Sequence, residues 1–260
     1  MMDGHYNMKI ILGIPARLAS TRFPRKPLCK ILDKSMIEHC YKRSSLSNYA
    51  TDLFLATCDE EIKEHAHDFN ANVIMTPKNI SRPGLRVAEA AKNLHLDEND
   101  IVVVIQGDEP LIHPKMIDLA IKPLIDDKNI FVSNLCAKIN KSDLENPSEV
   151  KVVCDLNMDA LYFSRAPIPS FVHEEKKTHW WKQVCIMPFR WHFMKKFNDD
   201  LKPTPLELQE SIEMIRAIQY GYKVRMIPTD LINKSVDTEE DRLQAEKLMR
   251  KDELYANKKY

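Results

Sequence analysis

Along this chain, short apolar runs alternate with stretches whose apolar positions recur at helical spacing. Residues 9–14 (KIILGI), 52–57 (DLFLAT), 72–75 (NVIM) and 101–105 (IVVVI) are short, rich in β-branched or large aliphatic side chains, and end at turns. Runs of this kind suit strands of a sheet covered on both faces. Between them, residues 36–44 (MIEHCYKRS), 60–70 and 86–94 carry helical patterns. The β-α-β-α order predicts an α/β fold whose first half is a parallel, doubly wound sheet flanked by helices.

The second half is less regular. Residues 130–139, 150–155, 182–189 and 224–227 read as strands, and 205–219 and 239–252 as helices. Prolines bound the start of the first helix, and Thr238 with the acids after it forms an N-terminal signal for the second. Residues 174–181, charged and then aromatic, read as a surface loop, and the closing YANKKY as a frayed tail.

Composition narrows the function classes. Of 260 residues 44% are hydrophobic, enough for a sizeable core. Lys plus Arg equals Asp plus Glu at 38 each, so no net field favours nucleic acid or a membrane surface. An anionic partner must then be held by local charge. The six cysteines include no C-x-x-C pair, and Cys136 and Cys154 sit in apolar runs where a thiol packs as a small hydrophobe. Neither zinc nor a disulfide framework is expected. The early apolar run ends at Pro15, too short for a signal peptide or a span, and KDEL at 251–254 is not terminal. The expected location is cytoplasmic.

Three motifs carry chemistry. Pro15-Ala16-Arg17-Leu18-Ala19-Ser20-Thr21-Arg22-Phe23-Pro24-Arg25-Lys26-Pro27-Leu28 follows the first strand, where open α/β sheets bind ligands. Arg17, Arg22, Arg25 and Lys26 concentrate positive charge there, and Ser20 and Thr21 add small donors. A triphosphate needs such guanidinium forks and a mobile ammonium. No G-x-x-x-x-G-K-[ST] loop is present, and on its own a solvated basic turn explains the run equally well. Gln106-Gly107-Asp108-Glu109-Pro110 follows IVVVI. Mg²⁺ takes hard carboxylate oxygens and completes its shell with phosphate and water, which makes Asp108 the natural ligand. Glu109 reads as a helper, or as a cap for a helix after Pro110. Ser235-Val236-Asp237-Thr238-Glu239-Glu240-Asp241 opens the last helix. Ordinary capping accounts for it, while the functional reading makes Asp237 the second metal carboxylate.

Together with Asn146-Pro147, Val150-Lys151-Val152-Val153 and the run from Ala160 to Pro169 (ALYFSRAPIP), these motifs resemble the CMP-Kdo synthetase family, in the same order from about residue 9 to 249. The resemblance implies a nucleotide-sugar transferase-like (Rossmann-like), mostly parallel sheet flanked by helices, with a smaller mixed β/α portion for dimerisation and sugar binding. It implies a homodimer that couples CTP to 3-deoxy-manno-octulosonate, releases pyrophosphate and uses Mg²⁺. A single nucleotidyltransferase domain would span 8–255, with nucleotide binding mainly in 8–130, sugar binding mainly in 131–255, and tails at 1–7 and 256–260. Arg17, Ser20, Arg22 and Lys26 would hold the CTP phosphates, with Arg86 and Gln106 on the nucleotide side. Arg17, Arg22, Lys26 and Asp108 would be the catalytic set, and Asp108 and Asp237 the metal ligands. Arg165 would meet the sugar carboxylate, and Glu210 and Glu213 would share one face of a helix lining the sugar pocket, together with Glu207 and Arg216.

The departures from the family cluster. Its Ser-Gly-Thr, acid and Arg of the base-reading loop are here Arg82-Pro83-Gly84-Leu85-Arg86, and its glycine before the phosphate-loop lysine is Arg25. The family's pocket histidine, tyrosine and glutamine correspond to Gln183, Met187 and Met214. Each polyol hydroxyl left against a thioether would cost about 1–3 kcal/mol. The expectation is therefore an acceptor related to, but different from, unmodified Kdo. None of the nine histidines presents itself as a general base. Two alternatives stand beside this reading: a nucleotidyltransferase with another nucleotide or a non-sugar acid such as a phosphonate, and a catalytically silent relative. The retained Asp108, Asp237, Arg22 and Lys26 argue against the second.

Overall fold

The computed structural model describes residues 8–19, 23–170, 179–231 and 233–260. In chain order the strands are β1 (Ile10–Ala16), β2 (Lys30–Ile31), β3 (Lys34–Ser35), β4 (Asp52–Thr57), β5 (Val73–Met75), β6 (Ile101–Ile105), β7 (Ser133–Ile139), β8 (Lys151–Cys154), β9 (Ala160–Ser164), β10 (Trp180–Val184), β11 (Ile186–Arg190) and β12 (Arg225–Thr229). The helices are α1 (Met36–Ser44), α2 (Glu60–His67), α3 (Pro83–Ala91), α4 (Pro114–Asp126), α5 (Lys141–Glu145), α6 (Trp191–Asp199), α7 (Pro205–Glu210), α8 (Met214–Gln219), α9 (Glu239–Met249) and α10 (Glu253–Ala256). Among the described residues no helix is long and apolar enough to cross a membrane.

The first sheet has the order β11-β6-β1-β4-β5, with β6, β1, β4 and β5 parallel and β11 antiparallel at the edge. Leu12 stands between Leu53 and Val103 in register. Every residue of β6 is buried, as a strand covered on both faces requires. Gly13 is where α3 seats on this sheet: a Cβ there would stand 2.4 Å from Val87 Cγ1. The second sheet, β12-β7-β10-β8-β9, is antiparallel except for β12 on β7. One apolar cluster runs from Leu12 and Val103 through to Leu135 and Val184, so side chains from both sheets share it.

Five expectations are corrected. Of the surface loop expected over 174–181, Trp180 and Trp181 open β10, and 174–178 lie outside the described residues. Residues 182–189 do not form one strand. The chain crosses at Cys185, so that β10 pairs with β7 and β8 in the second sheet while β11 pairs with β6 in the first. A continuous apolar run does not report where it changes layers. The helix expected over 205–219 breaks at Ser211, which is left-handed at φ 56° and ends α7 as glycine usually does. The helix placed at 86–94 starts at Pro83, a residue suited to the first turn of a helix. The YANKKY tail is docked: the Tyr260 hydroxyl lies 3.1 Å from His39 Nδ1 and 3.2 Å from Arg43 Nη1. A terminal aromatic with a polar tip gives a tail enough contact to be held.

Candidate active site

The strand order runs outward from β1 through β4 to β5 and then reverses to β6 on the other side of β1. The loops after β1 and β6 therefore open onto one crevice, the position at which open α/β sheets take ligands. A cleft of about 750 Å³ lies there. Its lining includes Arg17, Ala19 and Lys26 from the first motif, and Gln106, Gly107 and Asp108 from the second. Ser81, Arg82 and Arg86, at the start of α3, continue it. Arg165, Gln183, Met187, residues 211–214 and Asp237 complete the lining. Elements more than 100 positions apart in the chain thus meet in one cavity.

Local structure holds each group. The β1 loop is tied to α2: Leu18 N–H donates to Asp59 Oδ2 at 2.8 Å. Asp59 is the N-terminal residue of α2 yet makes no capping bond with its side chain, so its carboxylate serves the loop instead. Arg25 takes a left-handed conformation at φ 57°, which an L-residue adopts only at some cost, and its guanidinium pairs with Glu61. It pairs with α2, where an arginine in the family's glycine position left either an altered loop or an extra phosphate contact open. Ser20, Thr21 and Arg22 lie outside the described residues. Gly107 allows the β6 loop to lie on β1: a Cβ would stand 2.7 Å from the Pro15 carbonyl oxygen. The close approach that this glycine permits is thus to the chain itself.

The second and third motifs are stitched together. Val236 N–H donates to the Asp108 carbonyl at 2.9 Å, which brings Asp237 opposite Asp108. Lys26 Nζ sits between them, 2.7 Å from Asp108 Oδ2 and 2.8 Å from Asp237 Oδ1. Burial opposes the lysine's charge, but Asp108 and then Asp237 outweigh it and hold the ammonium above the ordinary lysine range. Thr238 caps α9 in a reciprocal pair with Asp241, as its sequence signal suggested. Glu109 does not cap a helix, because α4 begins at Pro114 behind His113. It is buried, accepts a bond from Asn233 Nδ2 at 2.5 Å, and burial followed by the Asp108 charge pushes its carboxyl up to about 8.

The sugar-side residues behave differently from one another. Arg165 is held at three points: its N–H donates to Glu210 Oε2 at 2.8 Å, Nε to the Glu210 carbonyl at 2.8 Å, and Nη1 to the Pro147 carbonyl at 3.0 Å. Glu210 also accepts from Ser164 Oγ at 2.7 Å. It supports Arg165 from behind the cleft wall. Glu213 lines the cleft, on the far side of the break at Ser211, so the two acids do not share a helix face. Glu207 is wholly buried against Arg216. Met187 and Met214 line the cleft but expose only 4% and 1% of their surface, leaving Gln183 as the more accessible group of the three. Arg86 is buried and bonds Thr76 Oγ1 and the Ile80 carbonyl, fixing the loop below α3.

The sequence reading assigned no role to Lys151. It is fully buried, and its ammonium donates to the carbonyls of Asn146 at 2.8 Å, Glu149 at 2.7 Å and Arg165 at 2.6 Å. A lysine inside the apolar run VKVVC was the available signal, because a buried ammonium needs such acceptors.

Chemically, two carboxylates already share one cation. No group of three or more His, Cys, Asp or Glu side chains suited to a metal occurs among the described residues. A pair of hard oxygen donors beside a basic loop fits Mg²⁺ carried in with phosphate oxygens, and does not fit a closed structural metal site.

A switch-point cleft with Arg17 and Lys26 beside paired acids suits nucleotidyl transfer, and likeness to known proteins places the chain among the nucleotidyltransferases. The family model for cytidylyltransferases matches residues 11–227. The 3-deoxy-manno-octulosonate cytidylyltransferase of Geobacter metallireducens is 39% identical over 245 residues, covering 90% of this chain and 95% of its own. That of Solibacter usitatus is 39% identical over 234 residues, covering 90% and 91%. A solved CMP:2-keto-3-deoxy-manno-octonic acid synthetase complexed with CTP superposes with a TM-score of 0.87 at 32% identity, covering 94% of this chain and 99% of that one. The 4-diphosphocytidyl-2C-methyl-D-erythritol synthase of Anaerococcus prevotii shares the fold, with a TM-score of 0.62 at 13% identity. The chain belongs to the cytidylyltransferase family, in its 3-deoxy-manno-octulosonate (CMP-Kdo synthetase) branch.

Proposed function

We propose that this enzyme transfers CMP from CTP to the anomeric hydroxyl of 3-deoxy-manno-octulosonate, or of a closely related 2-keto-3-deoxy acid, with release of pyrophosphate. The observation that carries this reading is the placing of Lys26, Asp108 and Asp237 within 2.8 Å contacts in a cleft that Arg165 also lines. The chain's residues do most of the work by positioning and charge neutralisation. Arg17, Arg22 and Lys26 hold the triphosphate and balance the charge that accumulates on departing pyrophosphate. Arg165, locked in place by Glu210 and Pro147, pairs with the acceptor's carboxylate and aims its hydroxyl at the α-phosphorus. Asp108 and Asp237 would hold Mg²⁺, which when bound neutralises phosphate charge and lowers the pKa of the attacking hydroxyl.

The working unit in this proposal is a homodimer in the cytoplasm. β9 is an edge strand of the second sheet and carries the exposed Leu161, with Leu156 fully exposed before it, a surface that association would cover. All six cysteines are free thiols, in keeping with a reducing compartment. A second reading, with a less polar acid as acceptor, is favoured by Met187 and Met214 in the cleft lining. One experiment tests both: pyrophosphate release with Mg²⁺, each nucleoside triphosphate being paired with Kdo and with other 2-keto-3-deoxy acids. Release from CTP with Kdo supports the first reading, release from CTP with another acid alone supports the second, and no CTP-dependent release refutes both.

A further inference from the structure

A charge cluster that the chemistry above does not use lies where the start of α3 meets the corner between α7 and α8. At its centre is Glu207, wholly buried. Arg216 already satisfies it in a two-point pair, with Nε 2.7 Å from Oε2 and Nη2 2.5 Å from Oε1. Arg216 Nη1 donates to the carbonyls of Phe197 and Leu201 at 3.1 and 3.3 Å. The pair is complete as it stands. Arg82 nevertheless reaches across from the residue before α3 and bonds the same carboxylate.

Charge explains the third member. Arg82 Nη1 also stands 3.8 Å from Glu213 Oε1, and Glu213 presses on α3 so closely that a Cβ at Gly84 would lie 3.2 Å from its Oε2. With Glu207 matched by Arg216, the charge that Arg82 brings balances Glu213. One nitrogen, Nη1, thus stands between two acids, one on α7 and the other at the corner before α8, bonding the first and lying within ion-pair distance of the second. Both sides of this contact face the cavity. Ser81, Arg82, Pro83 and Arg86 line it from α3, and Ser211, Ile212, Glu213 and Met214 from the corner.

We propose that Arg82 is a positioning residue that clasps the start of α3 to the α7–α8 corner, setting the place of Glu213 and Met214 on the acceptor side and linking it to the nucleotide side. The proposal rests on the cytidylyltransferase reading of the cleft. It concerns a position where this chain has a guanidinium in the loop otherwise read as contacting the base. Arg82 then acts on the acceptor through Glu213, without touching the base.

The test compares wild type with Arg82→Ala and Arg82→Lys in three measurements: KM and kcat for CTP and for the sugar acid, the urea unfolding midpoint, and backbone hydrogen exchange over residues 211–216. For Arg82→Ala the expected result is a rise of about tenfold in KM for the acid, with kcat and KM for CTP within about threefold, as loss of ground-state positioning gives. Amides at 211–216 exchange faster while those of β1 and β6 do not, and Arg82→Lys recovers part of the acid KM. An unchanged acid KM with unchanged exchange at 211–216 overturns the clasp. So does a rise shared equally by both substrates that follows only the unfolding midpoint. If wild type itself releases no pyrophosphate with any acid, the functional reading fails. The clasp is then judged by exchange alone: faster exchange at 211–216 supports it, and unchanged exchange overturns it.

Discussion

Replacing Lys26 with methionine removes the ammonium that stands 2.7 and 2.8 Å from Asp108 and Asp237, and leaves the two carboxylates facing each other. The lysine side chain is 14% exposed and the acids are 30% and 32% exposed, so the site is neither dry nor open. Removing one partner from a fully buried pair costs about 3–5 kcal/mol, and an exposed pair contributes under about 1 kcal/mol. Discounted for this exposure, the loss in EDTA should be about 1–3 kcal/mol. If the two acids form the proposed metal site, the wild-type ammonium competes with Mg²⁺ for the same oxygens, and the variant does not. At a Mg²⁺ concentration of about 100 times Kd, binding to the folded state alone adds about 2.7 kcal/mol, enough to restore most of what the substitution removed. Urea unfolding with EDTA and with Mg²⁺ reads this directly. The variant should be less stable than wild type in EDTA and gain more from Mg²⁺, and calorimetric titration should show tighter Mg²⁺ binding in the absence of nucleotide. Turnover should nonetheless fall about 100-fold or more, since a preorganised phosphate donor is lost. Equal gains from Mg²⁺ in the two proteins would refute the view that these acids form a shared cation site.

Three further outcomes follow from packing and charge. Gly107→Ala should destabilise the protein by about 1–3 kcal/mol in urea unfolding and reduce turnover, because its Cβ meets the Pro15 carbonyl at 2.7 Å and backbone must move. Arg43→Met should cost about 3–5 kcal/mol by the same assay, since the buried guanidinium bonds Asp252 at 2.7 Å and the Ile112 carbonyl at 2.7 Å, and its loss takes the counter-charge from Asp252. His39 is held below its ordinary value of 6.5, first by burial, while its Nε2 lies 2.7 Å from the Ile31 carbonyl. The unfolded chain therefore takes up this proton first. Its contribution to stability is complete above pH 6.5 and is lost as pH falls below that value toward the depressed folded pKa. Unfolding midpoints across that window should decline for wild type and decline less steeply for His39→Gln.

The parts of this fold that show in the sequence are those whose cause is local. Residues 52–57 and 101–105 form strands at their expected bounds because β-branched and large aliphatic side chains leave them no stable alternative, and α1 forms at its expected bounds behind the Ser35 cap. The crossing at Cys185 and the break at Ser211 have no local cause. One depends on which sheet edge needs covering, the other on a buried Glu207–Arg216 pair that folds α7 back on α8. The same division holds in the cleft. Motif order was enough to indicate that Lys26, Asp108 and Asp237 belong together. It could not indicate that Lys26 occupies the space between the acids, that Glu210 turns its carboxylate toward Arg165 and away from the cavity, or that Arg25 faces Glu61. The placing of Lys26 and of Arg25 depends on which opposite charge lies nearest after folding, and that of Glu210 on the Arg165 N–H and the Ser164 hydroxyl that its carboxylate accepts from. Charge also accounts for Arg82, which reads in sequence as a changed base contact and in three dimensions as the counter-charge of acids at the α7–α8 corner. Substitutions at such positions act through the partner the guanidinium has chosen, so the residue to examine beside Arg82 is Glu213.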